Sequence, residues 1–293
     1  MPLPISRRTA LSSALAVLAA HYAGAAETSS QPDIAAQLAQ IEAAVKGRLG
    51  VAILDTKTGE LRGQRLLERF PLCSTFKLLA AAYVLVRVDD KEENLDRRVV
   101  FSAGDVVEYS PVTEKHIGSD GMRMAEICAA AITLSDNTAG NLMLASFGGP
   151  EALTKWLRTL GDAATRLDRI EPALNEATPG DPRDGTTPRA MVYTLQRILL
   201  GNVLSKKSEG QLVEWLVANK TGDARLRAGL PADWKVGDKT GTGGHGATND
   251  VAIVWPPNRP PIIIAAYLAD TEAPIDARNA AIADVGRAAS SLF

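Results

Sequence analysis

The chain is poor in the residues that metal and disulfide chemistry needs, with two cysteines and three histidines in 293 positions. Neither Cys73 nor Cys128 has a histidine or second cysteine at metal-ligand spacing, which argues against a zinc site. No metal and no other cofactor is expected. Basic runs are also lacking, and the formal net charge is -2, so nucleic acid is excluded as a partner. No internal repeat or low-complexity tract interrupts the chain. With 46% hydrophobic and 23% charged residues, what remains is an ordinary globular composition, long enough for one large or two modest domains with a real core.

A membrane span is missing as well. The apolar stretch Ala10–Ala20 is too short and too weakly apolar to cross a bilayer, but Arg7 and Arg8 precede it and the small residues Ala23-Gly24-Ala25 follow. Residues 1–25 therefore read as an export signal cleaved near Ala25, leaving a mature charge of -4. "SRRTAL" fits a twin-arginine signal, and a general secretory signal can also begin with two arginines. The expected location is the periplasm, where two cysteines leave a single disulfide open.

Periodicity places a helix over 33–47, a buried strand over 50–56 and a second strand near 60–66. Helical patterns then dominate: 76–86, apolar all round, followed by 122–134, 138–147, 150–160, 187–201 and 209–219. Between them, "RIEPALNEATPGDPRDGTTP" (169–188) is polar, Pro-rich and aperiodic, a length of loop that usually carries function. Strand patterns return in "WKVGDKTGTGG", "TNDVAIVW" and "PIIIAAYLA", before a last helix over 273–292. The expected class is α/β (α+β), with an antiparallel sheet flanked by helices and built from both chain ends. Residues 26–68 and 213–293 would form that domain, and 69–212 an inserted all-helical one.

The tripeptide Lys-Thr-Gly occurs three times. At 57–59 it suits a hairpin turn; at 220–222, Lys220 suits a negative helix end and Gly222 a C-cap. The copy at 239–241 lies on or beside a strand, among glycines that admit close approach.

In "PLCSTFKLLAAAYVL" (71–85), Lys77 is the only charge between Ser74 and Val86. A cation in the first turn of a buried helix loses proton affinity and becomes usable as a base. The i, i+3 spacing puts it on the face of Ser74, beside free helix-start N–H groups suited to an oxyanion. The same residues would also make an N-cap serine and a lysine reaching for water. Ser135-Asp136-Asn137 falls between two helices, where all three residue types also serve as caps. Glu171 precedes Pro172, which biases it towards extended backbone. His116 and His245 have no matching context and read as surface or rim residues.

Taken in chain order, Ser74-x-x-Lys77, Ser135-Asp136-Asn137, Glu171-x-x-Leu174-Asn175 and Lys239-Thr240-Gly241 resemble the class A serine β-lactamases, over roughly residues 33 to 292. The resemblance implies an active site between the two domains and a monomer acting on small β-lactam molecules. It implies Ser74 as nucleophile, Lys77 and Glu171 as the candidate acylation bases, and Ser135, held by Lys239, as proton donor to the leaving nitrogen. Glu171 with Asn175 would activate the deacylating water. Asn137 would bind the substrate's side-chain amide, with Glu108 and Tyr109 at the rim. Lys239, Thr240, Gly241 and Thr242 would line the place of the substrate carboxylate, with Arg225 assisting. Backbone N–H groups of Ser74 and Thr242 would form the oxyanion hole, and Arg169 with Asp184 would clamp the long loop.

The resemblance also bears on the cysteines. Relatives pair the counterpart of Cys128 with a cysteine where this chain has Ala81, and the counterpart of Cys73 with one where it has Gly243. Two free thiols are therefore expected. A DD-peptidase or penicillin-binding protein shares part of the motif set but lacks Glu171 with Asn175. A β-lactam sensor that stays acylated would add a membrane or signalling segment, and a catalytically dead binder would not keep the whole set.

Overall fold

The computed structural model describes residues 33–118 and 120–293; the expected export signal lies outside them. Asp33 caps α1 (Ile34–Val45) by accepting the N–H groups of Ala35 and Ala36. The chain then enters β1 (Arg48–Asp55), turns at Gly59 with φ +77°, and returns as β2 (Leu61–Gln64). The first Lys-Thr-Gly is thus the hairpin turn read from the sequence. Next come β3 (Phe70–Pro71), α2 (Phe76–Asp89), β4 (Arg98–Val99), β5 (Met122–Arg123) and α3 (Met124–Thr133). After α4 (Asn137–Ser146) and α5 (Gly149–Thr159), the long loop leads to β6 (Gly185–Thr186). Then follow α6 (Pro188–Leu200), α7 (Lys206–Val217) and the short α8 (Leu226–Gly229). The chain closes with β7 (Lys235–Thr242), β8 (Thr248–Trp255), β9 (Ile262–Ala269) and α9 (Ile275–Ser290).

Five strands form one antiparallel sheet in the order β2-β1-β9-β8-β7, so both ends of the chain contribute to it. Side-chain alternation divides the strands between two cores. Leu49, Val51 and Ile53 join residues of α1 and α9, whereas Ala52 and Leu54 join the larger core of the helices. α2 lies at the centre of that core, with every residue from Phe76 to Ala82 buried. Because β7 is an edge strand, one row of its backbone groups faces the helical part instead of a neighbour strand.

Some expectations change. α7 begins at Lys206 instead of 209 because Ser205 caps it, accepting the N–H of Ser208 at 3.2 Å. That helix runs through the expected division at 212/213, and the described residues form one compact unit. Gly222 is not the C-cap of α7, which is Ala218. A Cβ on Gly222 would stand 2.0 Å from Asp238 Oδ2, so this glycine answers a close approach to β7. The two-residue strands β3 to β6 are too short to leave a periodic signal.

Candidate active site

A single 3-10 turn, Cys73–Thr75, leads directly into α2 and holds Ser74 at its start. β3 pairs with β6, and the Leu72 N–H donates to Asp184 O at 2.8 Å, so the turn is tied to the end of the long loop. Ser74 makes no cap to the helix. Its hydroxyl instead lies 3.0 Å from Lys77 Nζ and 3.2 Å from Glu171 Oε1. Lys77 does not reach for water either; it is 0% exposed. The capping and snorkelling alternatives are therefore not what the fold adopts.

Lys77 Nζ stands among four oxygens: Ser74 Oγ, Ser135 O at 2.8 Å, Asn137 Oδ1 at 2.6 Å and Glu171 Oε1 at 2.9 Å. An ammonium has three protons for these four acceptors, so the oxygens compete for them. Burial lowers the lysine's proton affinity, against the pull of the Glu171 carboxylate. Room for the side chain comes from Gly140 in α4, where a Cβ would stand 2.9 Å from Lys77 Cε. Ser135, at φ +57°, sits between the two lysines: its carbonyl accepts from Lys77 and its hydroxyl accepts from Lys239 Nζ at 3.1 Å. Asp136 fixes this corner by accepting the N–H groups of Val112, Thr113 and Ala139. Asn137 also donates from Nδ2 to Glu108 O at 2.8 Å, beside Tyr109, which is 58% exposed at the rim.

Glu171 reaches Ser74 because its loop is pinned at several points. Asp184, buried, accepts the N–H groups of Asp168 and Arg169 and the Arg169 Nε at 2.6 Å, so the expected Arg169–Asp184 pair is present. Asn141 on α4 holds Glu171 by its backbone, donating to its carbonyl at 3.0 Å and accepting its N–H at 2.9 Å. Asn175 donates from Nδ2 to Glu171 Oε2, and its own Oδ1 is buried with no protein partner among the described residues. On the sheet side, Cβ atoms on Gly243 and Gly244 would stand 2.7 Å from Asn175 O and 2.4 Å from Glu176 O. The glycines let the loop lie against the end of β7.

β7 completes the floor. A Cβ on Gly241 would lie 3.0 Å from Leu72 O and 3.2 Å from Ser74 N, which shows how closely the strand passes the serine turn. The Gly243 N–H donates to Ala247 O, so alternation turns the Thr242 N–H to the opposite, cleft-facing edge. Lys239 is 0% exposed and also donates to Thr240 O at 2.8 Å. Burial and the neighbouring Lys77 push its pKa down to about 7. Arg225, read from the sequence as a carboxylate ligand or a surface charge, is buried behind the strand. It donates to Gly241 O and Asn249 O at 2.8 Å each, and to Thr242 Oγ1 at 2.7 Å. Its reach to the cleft thus runs through the Thr242 hydroxyl. Among the described residues, no cluster of three or more histidine, cysteine or acidic side chains could hold a metal.

Residues 33–293 match the β-lactamase enzyme family. β-Lactamase L2 of Stenotrophomonas maltophilia is 46% identical over 280 residues, covering 95% of this chain and 92% of that one. β-Lactamase CTX-M-8 of Citrobacter amalonaticus is 45% identical over 251 residues, 86% of each chain. Among solved structures, an ancestral (GNCA) class A β-lactamase superposes with a TM-score of 0.88 at 63% identity, covering 89% of this chain and 100% of that one. The chain belongs to the class A β-lactamases.

Four positions that support this β-lactamase's site left little trace in the sequence. Gly140 was visible only as a glycine inside a helical pattern, which can mark close packing. Asn141 follows it as one polar residue among many on helix faces. Asn219 and Thr221 sit in what reads as a helix end, yet they meet β7 at Asp238 and Thr240.

Proposed function

We propose that this class A β-lactamase hydrolyses the lactam ring of penicillins and cephalosporins through an acyl-enzyme on Ser74, which a water activated by Glu171 releases. The observation that carries the reading is the position of Ser74 Oγ, within hydrogen-bond reach of both a buried amine and a buried carboxylate. Ser74 Oγ attacks the lactam carbonyl and passes its proton to the Lys77–Glu171 pair. The developing oxyanion is met by the N–H groups of Ser74 and Thr242. As the C–N bond breaks, the nitrogen takes a proton from the Ser135 hydroxyl, which Lys239 polarises, and the proton that the Lys77–Glu171 pair took from Ser74 then goes back to Ser135.

Deacylation reverses the roles. A water held between Glu171 and the free acceptor of Asn175 loses a proton to Glu171 while its oxygen attacks the ester. Ser74 leaves with a proton returned from the same pair. Asn137 with the Glu108–Tyr109 rim receives the substrate's amide side chain. Lys239, Thr240, Gly241 and Thr242, braced by Arg225, receive its carboxylate. The cleft lies between the sheet formed by both chain ends and the helices of 69–212. The protein acts as an exported, periplasmic monomer that confers β-lactam resistance, a placement supported by the Arg7-Arg8 leader.

A progress curve of penicillin ring opening by the mature protein tests the reading. Many turnovers per enzyme are expected. A burst of one equivalent that then stops would replace hydrolysis by the peptidase or sensor reading.

A further inference from the structure

The second Lys-Thr-Gly, which the reaction above does not use, lies directly against the third. Asn219 is 2% exposed, and its carboxamide is oriented from both sides. Nδ2 donates to Asp238 Oδ2 at 2.6 Å, and Oδ1 accepts the Thr221 N–H at 3.0 Å. A backbone N–H can only donate, so the atom that meets it is the oxygen. The Thr221 hydroxyl, 2.8 Å from that same oxygen, donates to it in the resting arrangement. Thr221 Oγ1 is also 2.5 Å from Thr240 Oγ1. A threonine hydroxyl carries one proton, and that of Thr221 is committed to Asn219. Thr240 is therefore the donor of the pair. At rest its proton points at Thr221 and is unavailable to an incoming anion.

We propose that Thr221 is a specificity-determining positioning residue for the substrate carboxylate, acting by reversal of a two-hydroxyl relay with Thr240. The inference rests on the reading that Thr240 receives that carboxylate. When the anion enters, Thr240 turns its proton to it, and Thr221 swings its own from Asn219 Oδ1 to Thr240 Oγ1. Asn219 Oδ1 keeps the Thr221 N–H, so no buried acceptor is left bare. No covalent bond changes. The two O–H dipoles then line up with their positive ends towards the anion, and each strengthens the other. A neutral ligand supplies no such drive and leaves the resting arrangement in place. Gly222 makes the contact possible, because a side chain there would strike Asp238 and lift the segment from β7.

The test compares the parent enzyme, Thr221→Val and Thr221→Ser on benzylpenicillin and on its methyl ester. Valine keeps the shape and removes the hydroxyl; serine keeps the hydroxyl. For benzylpenicillin, Thr221→Val is expected to raise KM about fivefold with kcat within about twofold of the parent, the scale of one lost charge-assisted partner. Thr221→Ser should match the parent, and the ester should show one KM across all three proteins. An unchanged penicillin KM in Thr221→Val, an equal rise for penicillin and ester, or a serine variant that behaves like valine would each overturn the proposal. A parent that does not hydrolyse penicillin at all overturns the functional reading and this proposal together, whereas an active parent with an indifferent valine variant overturns only the proposal.

Discussion

Lys77 and Lys239 bring two amines to zero exposure within one site, against the general rule that buried charge is paired or given up. The pair with Glu171 serves Lys77, whereas Lys239 has a hydroxyl and a carbonyl as its close partners. Its pKa, pushed from 10.5 down to about 7, gives two signatures of opposite sign. The cation is present below that value and lost above it, so KM for an anionic β-lactam should climb as pH passes from about 6 to 9, while the KM of a neutral ester stays level. Folding stability runs the other way. Between about 7 and 10.5 the unfolded chain holds a proton that the folded Lys239 does not, so this group's contribution to stability rises with pH across that window. A KM for the anion that ignores pH would remove Lys239 from the carboxylate subsite. Gly140 gives a second residue-scale prediction. In an ordinary helix, alanine for glycine adds about 0.5–1 kcal/mol of stability. Here the new methyl would meet Lys77 Cε at 2.9 Å and Phe76 Cζ at 3.3 Å. Gly140→Ala should therefore lower Tm and cut turnover roughly tenfold or more, because overpacking displaces the amine. A raised Tm with full activity would make it a bystander.

At the scale of elements, the loop from Arg169 to Asp184 shows what periodicity can and cannot reveal. Its length and lack of period marked it as functional, and Glu171 was identifiable by its place in the motif order. The supports were less legible, because each is a single polar or small residue on another element. Asn141 holds the Glu171 backbone from α4, and Gly243 and Gly244 open space at the end of β7. The Arg169–Asp184 clamp was anticipated by resemblance alone; no spacing rule predicts that contact across fifteen residues with a buried carboxylate. Asp184→Asn leaves donors facing donors and should cost about 2–3 kcal/mol of local stability. Amides of the loop should then exchange faster with solvent, and acyl-enzyme should accumulate during turnover, because in the proposed mechanism Glu171 and Asn175 of this loop hold the deacylating water. Unchanged exchange in that segment would show that the clamp does not hold it.

At the scale of the whole molecule, the sheet was legible because β1, β8 and β9 are compact apolar runs buried on both faces, and such runs at both chain ends can meet only in one sheet. The helical part was legible from α2, whose all-round apolar surface requires neighbours on every side. The division between the two was not, since α7 crosses it and packs against β7. Burial also decides the thiol chemistry: Cys73 and Cys128 are free and 0% exposed, and burial pushes the Cys73 thiol up to about 12. Titration without reductant should find no reactive thiol in the native protein and two after unfolding; fewer than two in the unfolded chain would mean a bond the fold does not contain. The central claim, that Ser74 is acylated and Glu171 frees it, is tested most directly by intact-protein mass spectrometry of Glu171→Ala mixed with benzylpenicillin. The account predicts a persistent adduct of one whole penicillin, located on the Ser74 peptide and absent from Ser74→Ala. Continued rapid turnover by Glu171→Ala with no adduct would contradict it.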